Sequence, residues 1–290
     1  MLSTSENLLS VVTDFSASTD RVTATQISFV RSAPAGINVI RKFRQPRRAV
    51  AVESTVALRG VPPVEARPES PARSRLVFLP KGYNGEQLLS LQKWIAGPTD
   101  PDATPTILVQ HNGESIRWRP GQALVQCTSE RREEILAALV EFTFYEGELR
   151  ALEGQLEARE AQAQADVSIA YQIRSRDQKH WTRLEEAIEY FARIRLSYAR
   201  LEPFLAKPSR ALPSQSQHFV SALFREADVE DRLEALNDRL EVLEDLYEGA
   251  NDRVADYRSY RKSAFLEIVI TMLLFVETII IAVDIYTRSL

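Results

Sequence analysis

From Ala264 to Tyr286 the chain reads AFLEIVITMLLFVETIIIAVDIY, a run too long and too apolar for a turn or an ordinary surface helix. At about 1.5 Å per residue, a helix of this length crosses the roughly 30 Å hydrocarbon layer of a bilayer. Three acids fall within it: Glu267 and Asp284 near the ends, where a carboxylate reaches the headgroups, and Glu277 nearer the middle. An ionised group at the centre costs roughly 2.5 to 3.5 kcal/mol on insertion scales, whereas each Leu, Ile, Val or Phe contributes about 0.3 to 0.6 in favour. More than a dozen such residues are present, so the segment is expected to insert as one anchor, residues 263–287.

The flanks set the expected orientation. Arg253, Arg258, Arg261 and Lys262 precede the span and Arg288 follows it, which places the N-terminal bulk on the cytoplasmic side of a bacterial inner membrane or the matrix side of a mitochondrial one. Glu277 and Asp284 are seven residues apart and share a helical stripe, which a lone helix would present to lipid. Several copies are therefore expected to pack with that stripe inward, a neutral Glu277 carboxyl hydrogen-bonding between neighbours; an ion-conducting role for the same stripe is the alternative.

Upstream, Val229, Leu233, Leu236, Leu240, Leu243, Tyr247, Ala250, Val254 and Tyr257 fall on alternating steps of three and four, with charges on the other faces. This heptad seam predicts a long helix over 228–262 running into the span, and Leu236, Leu240 and Leu243 are its candidate contacts with a second copy. Packing within one subunit is the competing expectation. Two more helices are predicted: one from Ser129 with Ile135, Leu139, Phe142, Tyr145, Leu149 and Leu156 on its apolar face, and one with Leu184, Phe191, Ile194, Tyr198 and Leu201, punctuated by Pro203 and Pro208. Together they make a helical region over 128–262, with a loop over Pro208–Gln217.

Before Thr128 the texture changes to short apolar runs bounded by turn residues. Arg75–Leu79, Thr106–Gln110, Ser115–Arg119 and Ala123–Cys127 read as strands, Asn112-Gly113 as a two-residue hairpin turn, and Glu86–Ile95 as a helix, giving a small α+β unit over 75–127. A proline-rich linker over 61–74 separates it from a region, 1–60, in which Val22–Val30 and Ala49–Leu58 are candidate strands. The fold class expected is thus α+β: a mixed N-terminal region, a long helical and coiled-coil-like middle, and one C-terminal transmembrane helix.

Chemistry-bearing motifs are sparse. No Walker loop, dinucleotide fingerprint, His-Glu-x-x-His or nucleophile elbow occurs, so no catalytic residue, cofactor site or metal site is assigned and the chain is not expected to be an enzyme. Cys127 is the only cysteine, which suits a reducing compartment, and three histidines are too few and scattered for a zinc cage. The start, Met1 to Glu6, lacks the pattern of a secretory signal. Lys81-Gly82-Tyr83-Asn84-Gly85 reads as a turn in which Asn84 caps the next helix rather than as a phosphate loop. The net charge of −4 gives no reason to expect nucleic acid along the whole surface. Locally, Arg41, Lys42, Arg44, Arg47 and Arg48 put five positive charges in eight residues. A solvated loop is the simplest reading, with RNA or ribosome contact and anionic lipid as the functional ones.

Arg232 to Ile281, with its Leu-rich helix, short Arg-containing stretch, Leu266-Glu267 pair opening the span and Glu277 inside it, resembles the C-terminal signature of a family named for a yeast protein required for meiotic nuclear division. Ile268 stands where members show tryptophan. The resemblance implies a membrane-bound, homo-oligomeric scaffold or tether without a catalytic site, whose mitochondrial members support organellar translation by holding ribosomes near the membrane. In plan, a long soluble helix entering a terminal span also resembles the CorA magnesium channels, which have two spans joined by Gly-Met-Asn, a tripeptide absent here. Ion transport is therefore the rival reading, followed by an unrecognised enzyme.

Truncation before Arg261 removes the apolar run and is expected to release the protein from membranes. Sedimentation after a high-salt wash checks this; a truncate that stays in the pellet would show a second attachment.

Overall fold

The computed structural model describes residues 22–33, 36–56, 73–85, 87–97, 105–171 and 178–288. They form two compact units: the first from the N-terminal sheet region through Gly147 together with Lys207–Ala227, the second from Glu148–Ala206 and Asp228 onward.

The first unit is built on a seven-stranded sheet. Its strands are β1 (Thr23–Val30), β2 (Asn38–Phe43), β3 (Ala49–Val56), β4 (Arg73–Pro80), β5 (Ile107–His111), β6 (Glu114–Arg119) and β7 (Gln122–Cys127), in the spatial order β2-β3-β1-β4-β7-β6-β5. Every neighbour is antiparallel except β4 and β7. That parallel pair requires a crossover, supplied by helix α1 (Gln87–Ala96) with the β5–β6 hairpin. Leu76, Val77, Phe78 and Leu79 of β4 are all buried, because the central strand is covered on both faces. Trp94 and Ile95 of α1 pack with Val77, Leu79 and Leu124 on one face. On the other, the start of α2 (Arg132–Tyr171) lays Phe142 against Trp118 and Phe144 against Phe43 and Phe29. The Trp118 indole N–H donates to Thr143 Oγ1 at 3.0 Å, so the largest buried ring of β6 leaves no orphan donor.

The Asn112-Gly113 turn is as predicted: both residues have positive φ, 53° and 76°, the conformation a two-residue hairpin needs. Five other expectations change. The boundary between 1–60 and 75–127 dissolves, because β1, β2 and β3 hydrogen-bond into the same sheet as β4 to β7 and share one apolar core. The strand after the expected 61–74 linker begins inside it, at Arg73, and 57–72 lie outside the described residues. A strand, β2, occupies 38–43. The expected loop at Pro208–Gln217 gives way at Ser214 to α4 (Ser214–Glu226), whose Phe219, Val220, Leu223 and Phe224 are buried in the first unit. The start at Ser129 is also a short 3-10 turn, Ser129–Arg131, before α2 proper.

The second unit is a three-helix bundle of α2 from Glu148, α3 (Gln178–Ala206) and α5 (Val229–Arg288). Pairings fix its directions. Arg232 meets Glu153 at 2.7 Å and Arg239 meets Glu160 at 2.6 Å, seven residues on along both helices, so α2 and α5 run parallel. Arg195 of α3 meets Glu244 and Arg258 meets Glu185, which runs α3 antiparallel to α5.

One buried acid ties the first unit together. Glu141 of α2, fully buried, accepts from the Ser209 amide at 2.7 Å and faces the Arg41 guanidinium of β2 at 2.6 Å. Burial holds its carboxyl above the ordinary 4.5, outweighing the opposite pull of those two partners. With the folded value raised, its stabilising contribution is complete below the unfolded value and is lost as pH rises through the folded one. Glu141→Gln, which cannot ionise, should therefore gain on wild type as pH rises above the ordinary carboxylate range and through the raised folded value. Urea unfolding at several pH values reads the difference; a gap that does not change with pH would refute control by burial.

Candidate functional site

Two regions hold the residues singled out in the sequence: the α5 seam with its continuation to Ile281, and the basic turn of the sheet.

The seam faces inward within one chain. Leu236 is 1% exposed and Leu240 0%, Val229, Leu233, Tyr247, Ala250 and Val254 are buried with them, and Leu243 is half-buried. α3 packs along α5, and Phe191 stacks on Tyr247 at 5.3 Å. Leu236 and Leu240 are thus covered within the chain, as the competing expectation had it, while Leu243 stays half-buried: a heptad stripe specifies that a helix will be covered, and here α3 and α2 reach it at far higher effective concentration than another chain.

Polar side chains set the axial position of α5. Asp166 of α2 is fully buried; it accepts from the Tyr247 hydroxyl of α5 at 2.9 Å and is paired with Arg183 of α3 at 2.6 Å. Burial, then the bond to Asp166, pushes the Tyr247 phenol far above its ordinary value, so it stays a donor. Arg253 donates to the carbonyl of Ala170 in the last turn of α2, which would otherwise be an orphan acceptor.

Beyond Lys262 the surface of the helix changes character. Among the described residues no element covers it there: thirteen large apolar residues between Phe265 and Ile281 are exposed, and this is the one described helix long and apolar enough to cross a membrane. Its polar residues are not scattered. At about 100° per residue, Ser263, Glu267, Thr271, Glu277 and Thr278 share an arc of about 120°, and between Ser263 and Ile281 the rest of the circumference carries only Ala, Val, Leu, Ile, Phe and Met. The Thr271 and Thr278 hydroxyls donate to the carbonyls of Glu267 and Leu274 at 2.8 and 2.7 Å, leaving their oxygens as acceptors for a neighbour. Glu267 and Glu277 are both exposed; Asp284 lies on the same helix, its side chain outside the described ones. The serine and threonines were not picked out from sequence, although steps of four, eight and fifteen from Ser263 place them beside Glu267.

The basic turn is only partly free. Arg41 is consumed by Glu141 and lies over Phe43, which is buried, and Arg47 lies over the Phe144 ring at 5.6 Å. Arg41, Lys42 and Phe43 belong to β2 rather than to the expected loop, while Lys42, Arg44, Arg47 and Arg48 are exposed around the turn into β3. Cys127 is buried, and its thiol is pushed up to about 11 chiefly by burial and then by Glu114, which leaves it unreactive. Among the described residues no three His, Cys, Asp or Glu side chains come together as a metal cage.

No family model matches the chain, and no curated protein matches it. Among solved structures, it is similar to that of the full-length CmaX protein, at 12% identity over 88% of this chain and 84% of that one, with a TM-score of 0.36.

The seam assignment has a direct test. Leu236→Asp puts a charge into the bundle and should cost about 3 to 5 kcal/mol, whereas Val242→Asp, at a site 67% exposed on the same helix, should stay within about 0.5 kcal/mol. Thermal unfolding of both variants in detergent checks the contrast; equal effects would mean that α5 is rotated in the bundle.

Proposed function

We propose that the chain is a membrane-anchored subunit of a homo-oligomer that passes cations, with α5 serving both as a strut of the soluble bundle and as the wall facing the other subunits. The observation that supports this reading most is the arc of Glu267, Thr271, Glu277 and Thr278 on a stretch of α5 that no other described element covers. Carboxylates in a span are costly facing lipid and are tolerated facing a bundle interior or a water-filled path, where rings of Asp or Glu select cations. Copies arranged about an axis bring the arc together as such a ring and turn the apolar circumference to lipid. Arg253, Arg258, Arg261 and Lys262 before the span put the soluble units on the cytoplasmic or matrix side.

A second reading, a scaffold or tether that holds the translation machinery at the membrane, keeps the same anchor and assembly. It draws on the exposed cations of the β2–β3 turn as a ribosome or RNA contact, and the resemblance of Arg232–Ile281 to the meiotic nuclear division family belongs with it.

The two readings part at Glu277. In proteoliposomes of the full chain, Glu277→Gln should cut K+ or Mg2+ flux at least about tenfold with the subunit count by native mass spectrometry unchanged, since the ring loses charge but keeps its hydrogen bonds. Glu277→Leu should in addition loosen assembly, by roughly 0.6 to 2 kcal/mol per contact. Wild-type vesicles that pass no cation while Glu277→Leu still loosens the assembly would select the scaffold.

A further inference from the structure

The cations of the β2–β3 turn do not stand alone. β1 ends at Val30, whose register partner is Val50 of β3, so Arg31 leaves the sheet beside Arg48 and the turn. Five side chains from two distant stretches, Arg31 with Lys42, Arg44, Arg47 and Arg48, thus converge at one end of the sheet, all exposed. Arg41 is turned away from them into Glu141. Among the described residues Arg31, Lys42, Arg44 and Arg48 have no carboxylate partner. This gathering of charge runs against a chain that carries −4 overall.

We infer that this end of the sheet binds the phosphates of anionic lipid headgroups. Four of the five cations are arginines, whose planar forks take phosphate oxygens in pairs. The aromatic rings nearest them, Phe43 and Phe144, serve the core: Phe43 is buried and the two rings stack at 4.0 Å. Among the described residues no ring is left there as a platform for unpaired bases, the usual requirement of single-stranded RNA recognition. What remains is an array of charge without base readout, which suits headgroups presented by a surface. The chain's own candidate span keeps it at a membrane, and the side favoured by Arg253, Arg258, Arg261 and Lys262 is the one whose leaflet is anionic.

The test uses the full chain in phosphatidylcholine nanodiscs, mixed with vesicles of phosphatidylcholine alone or of equimolar phosphatidylcholine and phosphatidylglycerol, and separated by flotation. Nanodiscs should float with the phosphatidylglycerol vesicles only and should detach at high salt. Each cation replaced should lower partitioning about fivefold, so Arg31→Gln with Arg44→Gln and Arg48→Gln lowers it about a hundredfold. These residues are exposed, and circular dichroism confirms that the triple variant is folded. Equal flotation of the triple variant, or none by wild type, overturns the inference. So does displacement by inorganic phosphate at matched ionic strength, which would indicate a free-phosphate site. Duplex RNA that displaces the vesicles at equal phosphate concentration, and that vesicles cannot displace in turn, would assign the surface to RNA instead.

Discussion

Helix α5 changes character along its length, and the arrangement of the second unit follows from that change. Its first half hides one narrow apolar stripe and shows charge elsewhere, as water demands; from Phe265 to Ile281 the polar residues keep to one arc and the rest of the surface is apolar, the pattern of a candidate span. No break separates the halves, and an unbroken helix is what a candidate span needs, since it satisfies its backbone groups internally. A displacement of the span is therefore a displacement of Tyr247 and its neighbours, and the bundle has to hold that position against Asp166.

Holding it depends on polar atoms in unfavourable places. A buried carboxylate is costly unless it is paired and hydrogen-bonded, and removing one partner costs several kcal/mol because the charge stays behind. Asp166 is offset by one group from each of the two other helices, which makes a slipped register expensive in a way that leucines alone would not. Glu141 plays the corresponding part in the sheet unit, joining β2 to the segment at Ser209. Both acids sit in helices whose apolar pattern would accept several registers, and each excludes most of them.

Much of the sheet was legible because its signals are local. β4 is a continuous apolar run, β5 and β6 alternate about an Asn-Gly turn, and α1 shows helical spacing between them. β2 was not legible: it is an edge strand, and Arg41 and Lys42, which keep such an edge from pairing with another chain, read as a solvated loop. α4 was hidden by Pro213 and the polar Ser214 to His218, although its four apolar residues meet the sheet unit at helical spacing. In the candidate site, the acids of the span stood out by composition, whereas the threonines beside them became significant only once the helix gave each an angle.

By itself the sequence determined the span, the heptad stripe, the hairpin and the division into a strand-rich and a helix-rich part, because periodicity and apolar length act over a few turns of chain and need no partner. Which surface covers the stripe, which strand lies beside which, and which cations stay free were decided by tertiary structure. Leu236 had the same spacing whether it faced a second copy or α3, and Arg41 the same charge as Arg44 whether or not Glu141 waited a hundred residues on. Contacts of that kind depend on the closure of long loops around a shared core, and local spacing carries no record of where those loops close.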